Sequence, residues 1–161
     1  MPCEIEKKYL VTGSPWLEAP AQKLKQAYIA KGSATVRIRI SDQQAWLTIK
    51  GKAPEGSFSR LECEYSIPVD DAENMIANLA LNPPLEKIRY TINHEGHEWT
   101  IDVFEGENTG LVLAEIELDS EDENFALPEW AIKDITFDHR FANSALSSHP
   151  WSKFRNEFSN V

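Results

Sequence analysis

The chain has 161 residues, of which 42% are hydrophobic and 26% are charged, and its net charge is -10. These values fit one globular domain with a sizeable core and argue against intrinsic disorder. The acidic balance disfavours a general nucleic-acid or membrane-surface binder, since both need a basic face, although it leaves room for a local basic pocket.

The sequence also favours a cytoplasmic location. No stretch is long and apolar enough to cross a bilayer, and the N-terminus is charged rather than signal-like. The two cysteines, Cys3 and Cys63, show no metal-ligand spacing. Reduced thiols in a cytoplasmic protein are therefore the simplest interpretation.

Alternation of apolar and polar residues, typical of strands, dominates the chain. It predicts strands near 3–11, 34–41, 45–51, 58–67, 86–93, 98–104 and 111–119, with 133–138 as a further candidate. Residues 15–27 contain Pro15 and Pro20, which limit regular structure there, so this segment is assigned to no element.

The connections between the predicted strands carry turn signals. "SDQQ" at 41–44 and "NHEG" at 93–96 predict hairpin turns, and "GKAPEGS" at 51–57 predicts a longer loop. Antiparallel strands joined in this way, with few helices between them, indicate a barrel or a sandwich.

Helix signals are few. The segment 70–81 places apolar residues on one side and acids in its first turn, which predicts a helix. Ser120 and Glu123 match a capping box for a short helix through about residue 126, and "FANSALS" at 141–147 predicts another. The tail, 152–161, is expected to be poorly ordered.

One face of nearly every predicted strand is charged. Successive strand residues point to opposite faces, so residues of one parity share a face. A solvated face of this kind is the norm for a single strand, but here same-sign charges recur two residues apart on several strands. The charged faces hold seven acids, Glu4, Glu6, Glu62, Glu64, Asp102, Glu115 and Glu117, and seven bases, Lys8, Arg37, Arg39, Lys50, Arg60, Lys87 and Arg89.

These same-sign pairs need counter-charges. Two carboxylates roughly 7 Å apart on one strand face repel by about 2 kcal/mol at an effective dielectric near 20. Hard divalent cations such as Mg²⁺ prefer oxygen ligands and would reverse that cost, while Arg and Lys pairs favour phosphate. A barrel that turned these faces inward would enclose a hydrated cavity suited to a polyphosphate with bound metal ions.

Several ordered motifs give the sequence a family resemblance. Glu4, Glu6 and Lys8 match the N-terminal Glu-x-Glu-x-Lys signature of the CYTH superfamily, the triphosphate tunnel metalloenzymes. "RIR", "TIK", "RLECE", "EKIRY", "IDVFEG", "LAEIEL" and "DHRFANSAL" follow in the family's order, from residue 3 to about 147. The resemblance implies one domain over 1–161: a mainly β (α+β) fold with an eight-stranded antiparallel barrel, a charged tunnel inside it and a few helices packed outside.

The resemblance also implies a divalent-metal-dependent triphosphatase that uses Mg²⁺ or Mn²⁺, most similar to the small bacterial inorganic triphosphatases. Its implied metal ligands are Glu4, Glu6, Glu115 and Glu117, with contributions from Asp102, Glu62 and Glu64. Its implied phosphate contacts are Lys8, Arg37, Arg39, Lys50, Arg60, Lys87, Arg89 and Arg140. For Arg140, anchoring of the C-terminal segment is an equal alternative to a place at the tunnel mouth. Its implied catalytic residues are Lys8, Tyr28 and Arg39.

Other functions of the same tunnel stay open at this point. An adenylyl cyclase of class IV would need a pocket for adenine and ribose, and a thiamine triphosphatase would need an aromatic platform, for which Trp46 lies on the charged parity. A non-catalytic polyphosphate or nucleotide binder is the third alternative, although a pure anion site would do better with bases alone. The expected partner is a small triphosphate compound, not nucleic acid or a membrane, and the chain is expected to be a monomer or homodimer.

Overall fold

The structure is a computed structural model that describes residues 2–158. Its strands are β1 (Cys3–Val11), β2 (Ala21–Lys31), β3 (Ala34–Ser41), β4 (Gln44–Gly51), β5 (Ser59–Ile67), β6 (Leu85–His94), β7 (His97–Phe104), β8 (Val112–Glu117) and β9 (Ala131–Asp134). Its α-helices are α1 (Val69–Leu79) and α2 (Asn143–Leu146), with short 3-10 helices at Gly106–Asn108, His139–Phe141, Trp151–Lys153 and Arg155–Phe158.

The first eight strands close into an antiparallel barrel. Neighbouring strands follow the order β5-β4-β3-β2-β6-β7-β8-β1, and β1 completes the ring by pairing with β5. Residues Glu6–Leu10 of β1 pair with β8, whereas residues Cys3–Ile5 pair with β5. Strand β9 pairs with the later part of β1 and lies outside the ring. The predicted eight-stranded barrel is confirmed.

One barrel strand, β2, was not predicted from the sequence. Pro20 does not interrupt the strand because it immediately precedes the first strand residue, Ala21. The inward positions of β2 carry amides and a tyrosine rather than paired charges, so the pattern that marks the other strands is missing. The candidate strand near 133–138 is β9, which ends at Asp134 and is not one of the eight.

The predicted turns are confirmed, but one predicted helix is wrong. Strands β3 and β4 meet through a two-residue turn at 42–43, and β6 and β7 through one at 95–96. Residues 120–126 contain no helix, although Glu123 accepts a hydrogen bond from the Asp119 backbone N–H at 2.6 Å. Phe125 packs instead on Trp99, which Trp130 also contacts, so this segment follows the outer apolar cluster rather than a helix.

Two apolar clusters lie outside the barrel. Helix α1 covers the outer faces of β2 to β4, where Ile38, Ile40 and Ile76 are buried. On the outer faces of β1, β7 and β8, Trp99, Ile116 and their neighbours pack beneath β9 and the segment before it. No helix within residues 2–158 combines the length and the apolarity needed to span a lipid bilayer.

The third apolar cluster closes one end of the barrel. Leu10, Leu113 and Phe104 have the inward parity of their strands, and the C-terminal side chains Phe141 and Phe154 pack on them. The expectation of a poorly ordered tail is therefore wrong for residues 152–158, while 159–161 lie outside the described residues. The remaining interior is left for polar side chains.

Candidate active site

The inward faces of the strands enclose a cavity of about 220 Å³ with an almost entirely polar wall. A wider mouth of about 850 Å³ shares several of its residues and is framed by the 51–58 loop, the β2–β3 turn and residues 135–145. The predicted site residues in the cavity wall are Glu4, Glu6, Lys8, Tyr28, Arg37, Arg39, Lys50, Arg60, Glu62, Glu64, Lys87, Arg89, Glu115 and Glu117.

Strands β1, β5 and β8 supply the acidic side of the cavity. Glu6 lies directly opposite Glu117 in the β1–β8 register, and Lys8 lies opposite Glu115. Glu4 is only 5% exposed, and its carboxylate is 2.6 Å from the Lys50 ammonium and 3.6 Å from the Arg60 guanidinium. Neither cation forms a hydrogen bond with Glu4, so these two contacts are ion pairs.

The acidic side chains of the cavity shift one another's pKa values. A protonated Glu62 can donate a hydrogen bond to the neighbouring Glu4 carboxylate, and this hydrogen bond, together with burial, raises the pKa of Glu62 to about 7. Burial and then the charges of Glu115 and Glu4 raise the pKa of Glu6 well above its usual range, and burial and Glu4 raise the pKa of Glu117. Burial opposes ionisation of Glu4 as well, but its hydrogen bond with Glu62 and the Lys50 charge outweigh burial and lower its pKa.

Strands β6 and β7 supply a buried group of charges beneath the cavity. Asp102 is 1% exposed and accepts two hydrogen bonds from the Arg89 guanidinium, at 2.8 and 2.9 Å. The Lys87 ammonium lies 2.7 Å from Asp102 Oδ2, the oxygen that also accepts from Arg89 Nη2. Burial and then the charges of Arg89 and Arg39 lower the pKa of Lys87 to about 7, although Asp102 opposes this change. Burial of Asp102 is outweighed by Arg89 and Lys87, which lower its pKa.

Strand β3 contributes the two arginines of "RIR". Arg37 donates to the Thr48 hydroxyl at 3.3 Å and lies 3.6 Å from Glu64. Arg39 is anchored by a neutral amide, since its Nε donates to Gln26 Oε1 at 3.0 Å. Burial and the charges of Arg37 and Arg89 lower the pKa of Arg39 to about 10, so it stays a cation near neutral pH.

Lys8 and Tyr28 face the same cavity. The Lys8 ammonium lies 3.7 Å from Glu115 and 4.0 Å from Glu6. Burial opposes its charge, but Glu115 and Glu6 more than compensate and raise the pKa of Lys8. Tyr28 pairs with Arg37 in the β2–β3 register and is largely buried in the cavity wall.

Two predicted site residues do not line the cavity. Asp102 lies beneath its wall and contacts only the cations that line it. Arg140 lies away from the cavity, because its guanidinium binds Asp138 at 2.7 Å and Glu157 at 2.6 Å and stacks near Phe154. Arg140 thus holds the C-terminal segment and is removed from the set of phosphate contacts.

The structure adds polar residues that the sequence did not single out. Thr35 and Asn143 line the cavity, Gln26 is fully buried beside Arg39, and Thr48 bridges Arg37 and Glu64. These side chains are uncharged, so the pattern of paired charges in the sequence does not identify them. Asn143 lies in the "FANSAL" motif, which is the only signal that pointed near it.

The oxygen donors of the cavity suit a divalent metal ion in their chemistry but are not gathered around one point. The acidic side offers only carboxylate oxygens, and three of its carboxyl groups have raised pKa values because of burial and acidic neighbours. Both features suit a hard divalent cation. Within residues 2–158, however, no three acidic, histidine or cysteine side chains are gathered in a metal-binding group, since Lys and Arg side chains lie between the acids.

A closed antiparallel barrel filled with ion pairs instead of packed apolar side chains defines a tunnel-like ligand-binding β-barrel. The family model of the CYTH domain matches residues 3–149, and the chain belongs to this family. The family expectation drawn from the ordered motifs is confirmed.

Named relatives and solved structures resemble the chain over most of its length. It is 40% identical to an inorganic triphosphatase of Acetivibrio thermocellus over 94% of this chain and 97% of that protein. It is 34% identical to an inorganic triphosphatase of Nitrosomonas europaea over 89% of this chain and 96% of that protein. The crystal structure of the inorganic triphosphatase NE1496 matches with a TM-score of 0.65 at 32% identity, over 89% of this chain and 97% of that one. A Pyrococcus furiosus protein shares the fold, with a TM-score of 0.57 at 18% identity over 74% of this chain and 80% of that one.

Proposed function

We propose that the protein is a divalent-metal-dependent triphosphatase that hydrolyses inorganic triphosphate to pyrophosphate and phosphate. The observation that carries this proposal is the cavity inside the closed barrel, in which acidic and basic side chains converge. Two relatives that match nearly the whole chain are inorganic triphosphatases, which supports the same activity.

The acidic side of the cavity would hold Mg²⁺ or Mn²⁺. The proposed ligands are Glu4, Glu6, Glu62, Glu64, Glu115 and Glu117. When bound, the ion would neutralise phosphate oxygens and lower the pKa of a water molecule. Asp102 is proposed to act on the cations instead, because both its oxygens are already engaged by Arg89 and Lys87.

The basic side would bind the phosphate chain. The proposed contacts are Lys8, Arg37, Arg39, Lys50, Arg60, Lys87 and Arg89. Their fixed positive charges would stabilise the charge that develops on the transferred phosphoryl group. Lys8 lies between Glu6 and Glu115, two of the proposed metal ligands, and the proposal puts it with Tyr28 and Arg39 at the reacting end. A covalent intermediate is not needed, and Cys3 and Cys63 have the outward parity of their strands.

The side chains that line the cavity indicate which triphosphate compound is the preferred substrate. Tyr28 is the aromatic side chain of the inner cavity wall, whereas Trp46, considered as a platform for thiamine, is not part of that wall. This favours inorganic triphosphate over thiamine triphosphate or ATP. The charges of the cavity residues and Asp102 cancel, so the rest of the chain carries the net charge of -10, which fits a cytoplasmic enzyme for small molecules better than a nucleic-acid binder.

Phosphate release from tripolyphosphate, ATP and thiamine triphosphate, each with Mg²⁺, Mn²⁺ or EDTA, tests the proposal. We expect tripolyphosphate to be the best substrate and EDTA to stop the reaction. Glu6→Gln should lower kcat by about 100-fold or more, because it removes one proposed ligand at the centre of the acidic side.

Glu95→Gln is the matched control, since Glu95 is exposed in the β6–β7 turn and should leave turnover unchanged. Unchanged activity of Glu6→Gln, or full activity in EDTA, would contradict the metal-dependent mechanism. Tight tripolyphosphate binding without turnover in either metal would identify a non-catalytic binder, and cyclic AMP formed from ATP would identify a cyclase.

A further inference from the structure

Two buried amides connect two cations, Arg39 of β3 and Lys87 of β6, whose strands lie on either side of β2. Asn143 Oδ1 accepts hydrogen bonds from the Lys87 ammonium at 2.7 Å and from Gln26 Nε2 at 3.1 Å. Gln26 Oε1 in turn accepts from Arg39 Nε at 3.0 Å. Gln26 is 0% exposed and Asn143 is 8% exposed. We call Gln26 and Asn143 the amide bridge.

The orientation of the amide bridge is fixed by its ends. Lys and Arg side chains can only donate hydrogen bonds, so Asn143 must present its oxygen to Lys87 and Gln26 must present its oxygen to Arg39. The Gln26 amino group then faces the Asn143 oxygen, which is the contact observed. Each amide therefore has one permitted orientation. Turning either amide around would place its amino group against the donor of a cation.

We propose that Asn143 is a positioning residue for the reaction, because the amide bridge holds Arg39 and Lys87 in the geometry that the phosphate chain requires. This inference rests on the proposed triphosphatase function. It assigns the C-terminal segment a part in the active site, since α2 carries Asn143 while strands β2, β3 and β6 carry the other three side chains.

The like charges around the amide bridge explain why Arg39 and Lys87 need neutral hydrogen-bond partners. Arg39, Lys87 and Arg89 are like charges in one small buried region, and Asp102 binds only two of them directly. A second carboxylate beside Arg39 would neutralise a charge meant for phosphate, whereas a neutral amide holds the side chain and leaves its charge available. Small displacements of such groups are costly, because about 1 Å of misplacement can reduce turnover about 100-fold.

Packing at the closed end of the barrel holds α2 in place. Leu146 of α2 and Phe141 just before it are buried in the apolar cluster that includes Leu10 and Leu113. The backbone carbonyl of Asn143 also accepts the Ser147 hydroxyl at 2.9 Å. The helix is therefore fixed by contacts that do not involve the cations, which is what a positioning element requires.

Steady-state kinetics on tripolyphosphate with Mg²⁺ and with Mn²⁺ test this inference. Asn143→Leu keeps the volume of the side chain but removes its acceptor, and we expect kcat to fall about tenfold or more while KM changes much less. Asn143→Asp keeps an acceptor oxygen but places a second carboxylate beside Lys87, so we expect it to recover kcat only in part and to raise KM, because it neutralises charge meant for phosphate. Gln26→Leu breaks the amide bridge from β2. Because both substitutions break the same bridge, kcat of the double variant Gln26→Leu/Asn143→Leu should be little lower than that of the more affected single variant.

Leu146→Ala is the matched control, because it weakens the same helix without touching the amide bridge. It should lower Tm and leave kcat close to that of the wild type. If Asn143→Leu does not fold, Gln26→Leu decides the question. Wild-type kcat in folded Gln26→Leu or Asn143→Leu would overturn the inference and leave the proposed function intact, whereas a wild-type protein inactive in both metals would overturn both.

Discussion

Two ionisable side chains of the cavity, Glu62 and Lys87, show how burial sets charge at the residue scale. Hydrogen bonding to Glu4 raises the pKa of Glu62 to about 7, and burial lowers the pKa of Lys87 to about the same value. One is an acid that tends to keep its proton and the other a base that tends to lose it. Each shift favours the neutral form of a group that is removed from water or lies beside a like charge.

The shift at Glu62 predicts how stability depends on pH in the metal-free protein. Because its pKa is raised on folding, the native state binds the proton more tightly, so the stabilisation is present below about pH 4.5 and is lost as the pH rises through about 7. The raised pKa of Glu6 has the same sign. We therefore expect Tm in EDTA to fall between pH 5.5 and about 7, as followed by calorimetry.

Glu62→Gln should flatten that fall, since the amide does not titrate. Acids whose pKa is lowered, such as Asp102, titrate below this range in both states and do not obscure it. A steeper decline in Glu62→Gln than in the wild type would contradict the assigned direction.

At the scale of elements, the C-terminal segment does two jobs. Its aromatic side chains Phe141, Trp151 and Phe154 seal one end of the barrel, and α2 brings Asn143 to the cavity. Arg140 links the start and the end of this segment through ion pairs with Asp138 and Glu157. A segment without strand periodicity thus closes the barrel interior that the strands alone leave open.

This role predicts a large stability effect at Phe141. The side chain is 0% exposed and contacts the rings of Trp151, Phe154 and Phe158. Phe141→Ala should lower the free energy of unfolding by about 3–5 kcal/mol, measured by urea denaturation.

Phe137→Ala provides the comparison within the same segment, because Phe137 is 56% exposed at the mouth. Its effect should stay within about 0.5 kcal/mol. Equal losses in the two variants would show that the barrel end is not packed as described.

At the scale of the whole molecule, the barrel separates two kinds of environment. Apolar side chains occupy the outer faces beneath α1 and β9 and one end of the interior, while charges of both signs occupy the rest of the interior. A small barrel usually fills its interior with side chains alone. In the proposed function, bound ions occupy part of this interior, so stability and ligand binding should be coupled.

That coupling predicts cooperative thermal stabilisation by metal and triphosphate. Mg²⁺ together with a triphosphate analogue whose bridging oxygens are replaced by methylene groups should raise Tm more than the two separate increases combined. At ligand concentrations about 100 times Kd the gain is about 2.7 kcal/mol, or about 5–10 °C for a protein of this size.

Sodium chloride at matched ionic strength serves as the control and should not reproduce the increase, because it supplies no multivalent counter-ion. Arg39→Ala should reduce the response to the analogue and leave the response to Mg²⁺ alone. Independent, additive shifts from the two ligands would argue that they do not share the cavity.

The sequence by itself determined which residues face the cavity on six of the eight strands, and that Asp102 of β7 points inward beneath it, because side-chain alternation is local and charges repeat with a period of two. It did not reveal β2, whose inward residues Gln26 and Tyr28 carry no charge pattern, nor the absence of a helix at 120–126, where contacts with Trp99 override a local capping signal. Only the tertiary structure decided that Arg140 leaves the site and that Asn143 enters it. Both outcomes depend on contacts between segments far apart in the chain, which local periodicity does not encode.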